Sequence, residues 1–287
     1  MNFSVRFALL AGLVVGMAGL PAIAAPQQQQ SPAGQQKTGQ QQAGQKATTT
    51  GKPAVPAPKV NPAEEKAYVK FYKLNVGTDP QGVIASGTAF LKKYPSSAYA
   101  ESVYARLTTA YEATGDDAKM FAAGKHVLQL DPNNVDVLSM LAYAIPRRVD
   151  PNNLDASGKL TEAEGYAKHA LALLAKMQKP ADLTDAQFTA AKNADEAACH
   201  SGLGLVYYYE HNLPGMISEF EQAVKLNPKD MSDQFLLGLA YVQAGQWANA
   251  VTPLQTCVST PGPMVSHCQP LLAQAKKQLA AQPKPKS

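Results

Sequence analysis

The twelve residues Asn153-Leu154-Asp155-Ala156-Ser157-Gly158-Lys159-Leu160-Thr161-Glu162-Ala163-Glu164 have the spacing in this chain that most suggests site chemistry. Oxygen donors stand at the first, third, fifth and ninth places, a glycine at the sixth, an apolar residue at the eighth and a glutamate at the twelfth. That is the order by which a calcium loop wraps a hard cation in oxygen ligands. The candidate ligands are Asn153, Asp155, Ser157, Lys159 through its carbonyl, Thr161 and Glu164. Two features count against the site: the first place holds neutral Asn153 rather than an aspartate, and no matching helix pattern enters the loop. The same residues also fit a helix start, with Thr161 and Glu164 as a Thr-x-x-Glu capping box and Gly158 making the turn before it.

Other chemistry is harder to find. The chain has no phosphate-binding glycine loop, Gly-x-Ser-x-Gly elbow, His-Glu-x-x-His or Cys-x-x-Cys. The five histidines, His126, His169, His200, His211 and His267, are scattered without metal-ligand spacing. Cys199 and His200 are adjacent, and adjacent residues on a helix diverge, so they make no ready catalytic dyad. The three cysteines, Cys199, Cys257 and Cys268, sit at no paired metal spacing; an oxidising compartment would allow one bridge and one free thiol. A formal charge of +4, with the lysines dispersed, does not mark a nucleic-acid binder. The expectation is a protein without catalytic activity and without a cofactor.

The chain opens with Arg6 and an apolar run from Phe7 to Leu20, followed by Pro21 and Ala22-Ile23-Ala24. This reads as a secretory signal peptide over residues 1–24, cleaved after Ala24, or after Ala25 as the alternative. The run is shorter than the roughly 20 apolar residues of a membrane-spanning helix, so stable membrane insertion is not expected after cleavage. Residues 25–62 are rich in Gln, Ala, Gly, Thr, Pro and Lys and lack aromatic side chains. Such a composition cannot bury enough apolar surface to offset its ordering entropy and predicts a disordered tether. Residues 283–287 form a short tail.

Between tether and tail the periodicity is helical, and it repeats. Leu203-Gly204-Leu205-Val206-Tyr207 recurs as Leu237-Gly238-Leu239-Ala240-Tyr241, an offset of 34 residues, and the same offset relates Leu213 to Trp247, Met216 to Ala250, Phe220 to Leu254 and Ala223 to Cys257. In these residues the chain resembles the tetratricopeptide-repeat family, in which each repeat is an antiparallel pair of helices, A and B. The resemblance implies an all-α, right-handed α-solenoid of about five helix pairs spanning residues 63–282. Its repeats fall at about 64–97, 101–134, 135–177, 197–230 and 231–264, and a capping helix at 265–281 closes the open apolar end. The third repeat carries nine residues beyond the family spacing between Ile145 and Ala163, and a second insertion covers 178–196. The phrase Phe90-Leu91-Lys92-Lys93-Tyr94-Pro95-Ser96-Ser97 is similar to bacterial envelope repeat proteins of the outer-membrane-assembly and Tol-Pal-associated kinds, which implies a periplasmic location, with secretion as the alternative.

The family's groove-lining positions fall on Tyr68, Tyr72, Tyr143, Arg147, Leu205, Tyr208, Tyr209, Phe235 and Leu239, whereas Tyr111, Tyr207 and Tyr241 fall on packing positions. The resemblance therefore implies an aromatic groove that binds a protein or peptide partner, making the chain an exported interaction scaffold. The family's Lys and Asn constellation for a C-terminal carboxylate is absent. Cys257 on the last helix B and Cys268 at the start of the cap are the expected disulfide, joined by the turn at Thr260-Pro261-Gly262-Pro263. The alternative function is a calcium- or small-ligand-binding envelope protein.

Overall fold

A computed structural model describes residues 61–282 apart from Asp182. The expected signal peptide, nearly all of the expected tether and the tail lie outside the described residues. Those described contain eleven α-helices and no strand. None of the helices is long and apolar enough to cross a membrane.

The chain divides into two compact units, one ending at Ala100 and the other beginning at Glu101. In the first, α1 (Pro62–Tyr72) starts at Asn61, whose side chain accepts from the Ala63 amide, and α2 (Pro80–Lys93) starts at Asp79, which accepts from the Gly82 amide. Each helix has proline in its first turn, where a missing N–H costs nothing. Phe71, Val83 and Phe90 fill the interior. Tyr68 lies flat on Tyr99 at 4.0 Å between ring centroids and tilts against Tyr72 at 5.6 Å. Ser97 donates a 2.5 Å hydrogen bond to Glu64, tying the end of the unit back to its first helix.

The second unit runs α3 (Ala100–Thr114), α4 (Asp117–Leu130), α5 (Val135–Arg148), α6 (Ala156–Leu174), α7 (Asp185–Tyr209), α8 (Leu213–Leu226), α9 (Met231–Gln243), α10 (Trp247–Ser259) and α11 (Val265–Ala281). The odd-numbered helices from α3 to α9 are the A helices, and α5, α7 and α9 each pack on the B helix that follows. The closeness of the pairs is written in the repeated Leu-Gly. A Cβ on Gly204 would come within 2.8 Å of the Phe220 ring, and one on Gly238 within 2.4 Å of the Leu254 side chain. The equivalent Thr108 is fully buried and turns its hydroxyl inward to the Tyr104 carbonyl.

The A-to-B turns share one backbone solution. Gly115 and Gly245 take φ of 71° and 68°, and His211, which stands 34 residues before Gly245, takes φ of 58°. Left-handed backbone is easy for glycine and costly for a histidine. At the far end α11 buries Cys268, Leu272 and Ala275 in the same cluster as Leu237, Leu254 and Cys257. Cys257 and Cys268 are bonded across a Cα separation of 6.2 Å.

The extra residues of the third and fourth repeats lengthen helices instead of forming long loops. Helix α6 already begins at Ala156, and Ala156 and Leu160 are buried against α5 residues such as Ile145. Ser157, Thr161 and Glu164 are therefore strung along about 10 Å of one helix face, and the Lys159 carbonyl belongs to the helix backbone, so these groups do not wrap one cation as a loop would. Lys159 pairs with Asp155 at 2.7 Å, and Glu164 with Lys168 at 2.6 Å. The Thr161 hydroxyl donates back to the Ser157 carbonyl, so the Thr161–Glu164 capping box is not formed either. Both expectations for residues 153–164 are corrected by the helical start at Ala156. The capping box that does exist is Thr184 with Gln187, and it opens the long α7.

A polar seam on the inner face of the A helices

Arg147 sits in the last turn of α5, at a position the repeat pattern assigns to the lining of the groove. Instead it braces three helices. Its guanidinium lies 3.5 Å over the Tyr143 ring and donates to the Tyr143 carbonyl at 3.1 Å. From the same end it donates to the Ser201 hydroxyl on α7 at 2.6 Å and to the Asp233 carboxylate on α9 at 3.2 Å. The Ser201 hydroxyl in turn donates a hydrogen bond to the Asp233 carboxylate. Ser201 and Asp233 are almost completely buried, and a buried charge is tolerated only when paired and hydrogen-bonded in this way.

Burial drives the Asp233 carboxyl well above the usual aspartate range, with the nearby Asp230 adding to the effect and Arg147 and Ser201 opposing it. Burial also raises the Tyr143 phenol. One repeat earlier a second bond follows the same plan. Ser139 of α5 donates to Asp195 of α7 at 2.7 Å, and the Asp195 carboxyl is pushed up to about 6, first by burial and then by Asp136. Ser139 and Ser201 hold the fifth place of their repeats. In both cases a serine on one A helix binds a carboxylate on the next. Backbone contact reinforces the seam, because α7 approaches α5 so closely that a Cβ on Gly202 would lie 2.3 Å from the Ala142 carbonyl oxygen.

The other expected groove residues separate into four groups. Tyr68 and Tyr72 belong to the aromatic cluster of the first unit. Leu205 is buried, packed with Met216, Phe220 and Leu237 in the core of the last repeats. Tyr208 and Tyr209 touch edge to face at 5.5 Å, but Tyr208 leans on that same core while Tyr209 leans on the cluster of Ile145, Val149 and Leu160. They close the end of α7 over two different cores and do not form one platform. Phe235 and Leu239 remain partly exposed, one turn apart on α9, with Phe235 set edge-on to His267 of α11 at 6.0 Å.

No group of three or more His, Cys, Asp or Glu able to hold a metal occurs among the described residues. Cys199 is a free, buried thiol whose pKa burial raises to about 12, so it is poorly suited to act as a nucleophile. His200 meets Glu219 of α8 at 2.6 Å. A shallow cleft of about 370 Å³ over α8, α9 and α10 is lined by Val224, Gln234, Tyr241, Asn249, Thr252 and Pro253 among others, and the Tyr241 phenol is the sole titratable group in that lining. Sequence reasoning missed Ser139, Asp195, Ser201 and Asp233. The available signal was the pair of serines at the fifth place of two repeats, a position the family turns towards its groove.

The helix pairs, the Leu-Gly close contacts and the 34-residue recurrence define the fold as an all-α solenoid of the tetratricopeptide-repeat class. No family model matches the sequence, and no curated protein matches it. Among solved structures the chain is similar to TTC0263, a thermophilic tetratricopeptide-repeat protein of Thermus thermophilus. The identity is 16%, with 75% of this chain and 99% of that one covered and a TM-score of 0.46. It is also similar to PilW, a type IV pilus biogenesis factor (13% identity, 78% and 94% covered, TM-score 0.49), and to MamA (21%, 64% and 90%, TM-score 0.41).

Proposed function

We propose that this chain is an exported, non-catalytic scaffold of the bacterial envelope that holds a protein or peptide partner against the inner face of its A helices. The observation that carries the reading is on α9. Leu237, Ala240 and Tyr241 are buried, yet Phe235 and Leu239 keep part of their surface open on a second stripe of the same helix, which ends at the buried Val242. A helix with one stripe committed to its own core and another left apolar is suited to burying that second stripe against something else. The buried seam beside it fixes α5, α7 and α9, so the stripe is held on a rigid support, which lowers the entropy lost on binding. Export is supported by the signal-peptide pattern at residues 1–24 and by a disulfide of the kind oxidising compartments permit.

The test is the double variant Phe235→Ala with Leu239→Ala, compared with wild type by circular dichroism and by quantitative capture of partners from the native envelope. Loss of a specific partner by at least about tenfold, on an unchanged helical spectrum, is the expected result, since anchor residues at interfaces cost about 2 kcal/mol or more when truncated. Undiminished capture by a folded variant excludes the stripe as the partner site.

A further inference from the structure

The seam joins α5, α7 and α9 through two carboxylates, Asp233 fully buried and Asp195 partly so, and each is the last acceptor in its chain of hydrogen bonds. Around Asp233 stand Arg147 and Tyr143 from α5, Ser201 from α7 and Asp230 from the start of α9 itself. Around Asp195 stand Ser139 and Asp136 from α5, with Glu196 and Cys199 on α7. Asp233 has one cation for company and Asp195 has only a hydroxyl donor. We infer that this seam is a proton-controlled brace, which grips α9 and α7 against α5 more firmly in mildly acidic surroundings than in alkaline ones.

The direction follows from linkage. An aspartate raised in the folded state penalises the fold while it is ionised. The penalty is complete above its folded pKa and disappears as pH falls through that value towards the unfolded one, near 4. For Asp195 that window runs from about 6 down to about 4; for Asp233 it reaches higher. Protonation does not break the seam. A neutral Asp233 still accepts from Ser201, and Arg147 keeps Tyr143 and Ser201 as partners. What is lost is the cost of keeping a charge out of water. The inner face is therefore stiffest where most proteins begin to lose stability to acid, a property an exported protein could use when the medium outside the cell acidifies. The inference is independent of the partner proposed above.

Two measurements on the full chain test it. Carboxyl-carbon NMR of the wild type, with Asp233→Asn and Asp195→Asn used for assignment, should show both groups titrating at least one pH unit above an ordinary aspartate. In Arg147→Gln the Asp233 signal should move higher still. Hydrogen exchange read element by element should show α9 amides slowing several-fold from pH 8 to pH 5.5 after correction for intrinsic chemistry, with α3 unchanged. Asp233→Asn should abolish that slowing. If either carboxyl titrates near 4, or if α9 protection has the same pH dependence in Asp233→Asn as in wild type, the brace is not proton-controlled. If the asparagine variant fails to fold, the wild-type exchange profile still decides: no slowing of α9 relative to α3 overturns the inference.

Discussion

His211 shows what a single side chain can cost when the repeat demands a backbone it does not favour. The turn between α7 and α8 needs a residue with positive φ, and the next repeat supplies Gly245 there while this one supplies His211 at 58°. The histidine is exposed, so no packing recovers the strain. His211→Gly should stabilise the protein by about 0.5–1 kcal/mol, the left-handed penalty less the added freedom of glycine in the unfolded chain. Urea denaturation of the two proteins checks it, and a loss of stability in the glycine variant contradicts the account. A complementary contrast uses two helical glycines. Gly202→Ala should cost about 1–3 kcal/mol, because its methyl meets the Ala142 backbone and a backbone cannot step aside as a side chain can. Gly165→Ala, with open space around its Cβ, should instead gain about 0.5–1 kcal/mol from helix propensity alone. Equal effects at the two sites would show that the tight α5–α7 approach is not what keeps Gly202 a glycine.

At the scale of helices, α11 is the element whose attachment is most concentrated. Its buried residues are Cys268, Leu272 and Ala275, and one of these three is covalently tied to α10. Reducing the Cys257–Cys268 bond, or replacing both residues with serine, should lower stability by about 2–3 kcal/mol, the chain-entropy value for so short a loop. The loss should be local, with amide protection falling along α11 first and α5–α7 hardly at all. Uniform loss of protection over the whole unit would mean that the cap folds as one with the rest. The element scale is also where the sequence was most and least legible. The recurrence of Leu203-Gly204 in Leu237-Gly238 revealed the helix pairs because glycine at a packing position leaves a strong mark. Residues 153–164 misled because a calcium loop and the first turns of a helix both use Asp, Ser, Gly, Thr and Glu. The burial of Ala156 and Leu160, which decides for the helix, depends on α5 and is invisible locally.

Taken as a whole molecule, the chain concentrates its polar interior where consecutive A helices meet. Several residues that the repeat positions assign to an aromatic groove are engaged within the chain. Tyr143 and Arg147 do lie on the inner face, but they are joined to Ser201 and Asp233, and Leu205 has been drawn into the core. Repeat position tells which side of a helix a residue occupies. It does not tell whether the next repeat sends a serine or a carboxylate to meet it, because that pairing spans 32 residues from Ser201 to Asp233 and 86 from Arg147. The partner surface proposed above is correspondingly smaller than the sequence implied and is centred on Phe235 and Leu239 of α9.

The measurement that bears most directly on this account is site-specific photo-crosslinking of the full chain in its native cells, with the reactive residue placed at Leu239 on the inner stripe or at exposed Gln222 on helix α8. The account predicts one discrete adduct from Leu239, identified by mass spectrometry as another envelope protein, that is absent from Gln222 and disappears when Phe235 is replaced by alanine. Adducts from Gln222 with none from Leu239 would contradict it and assign the partner to the B-helix side.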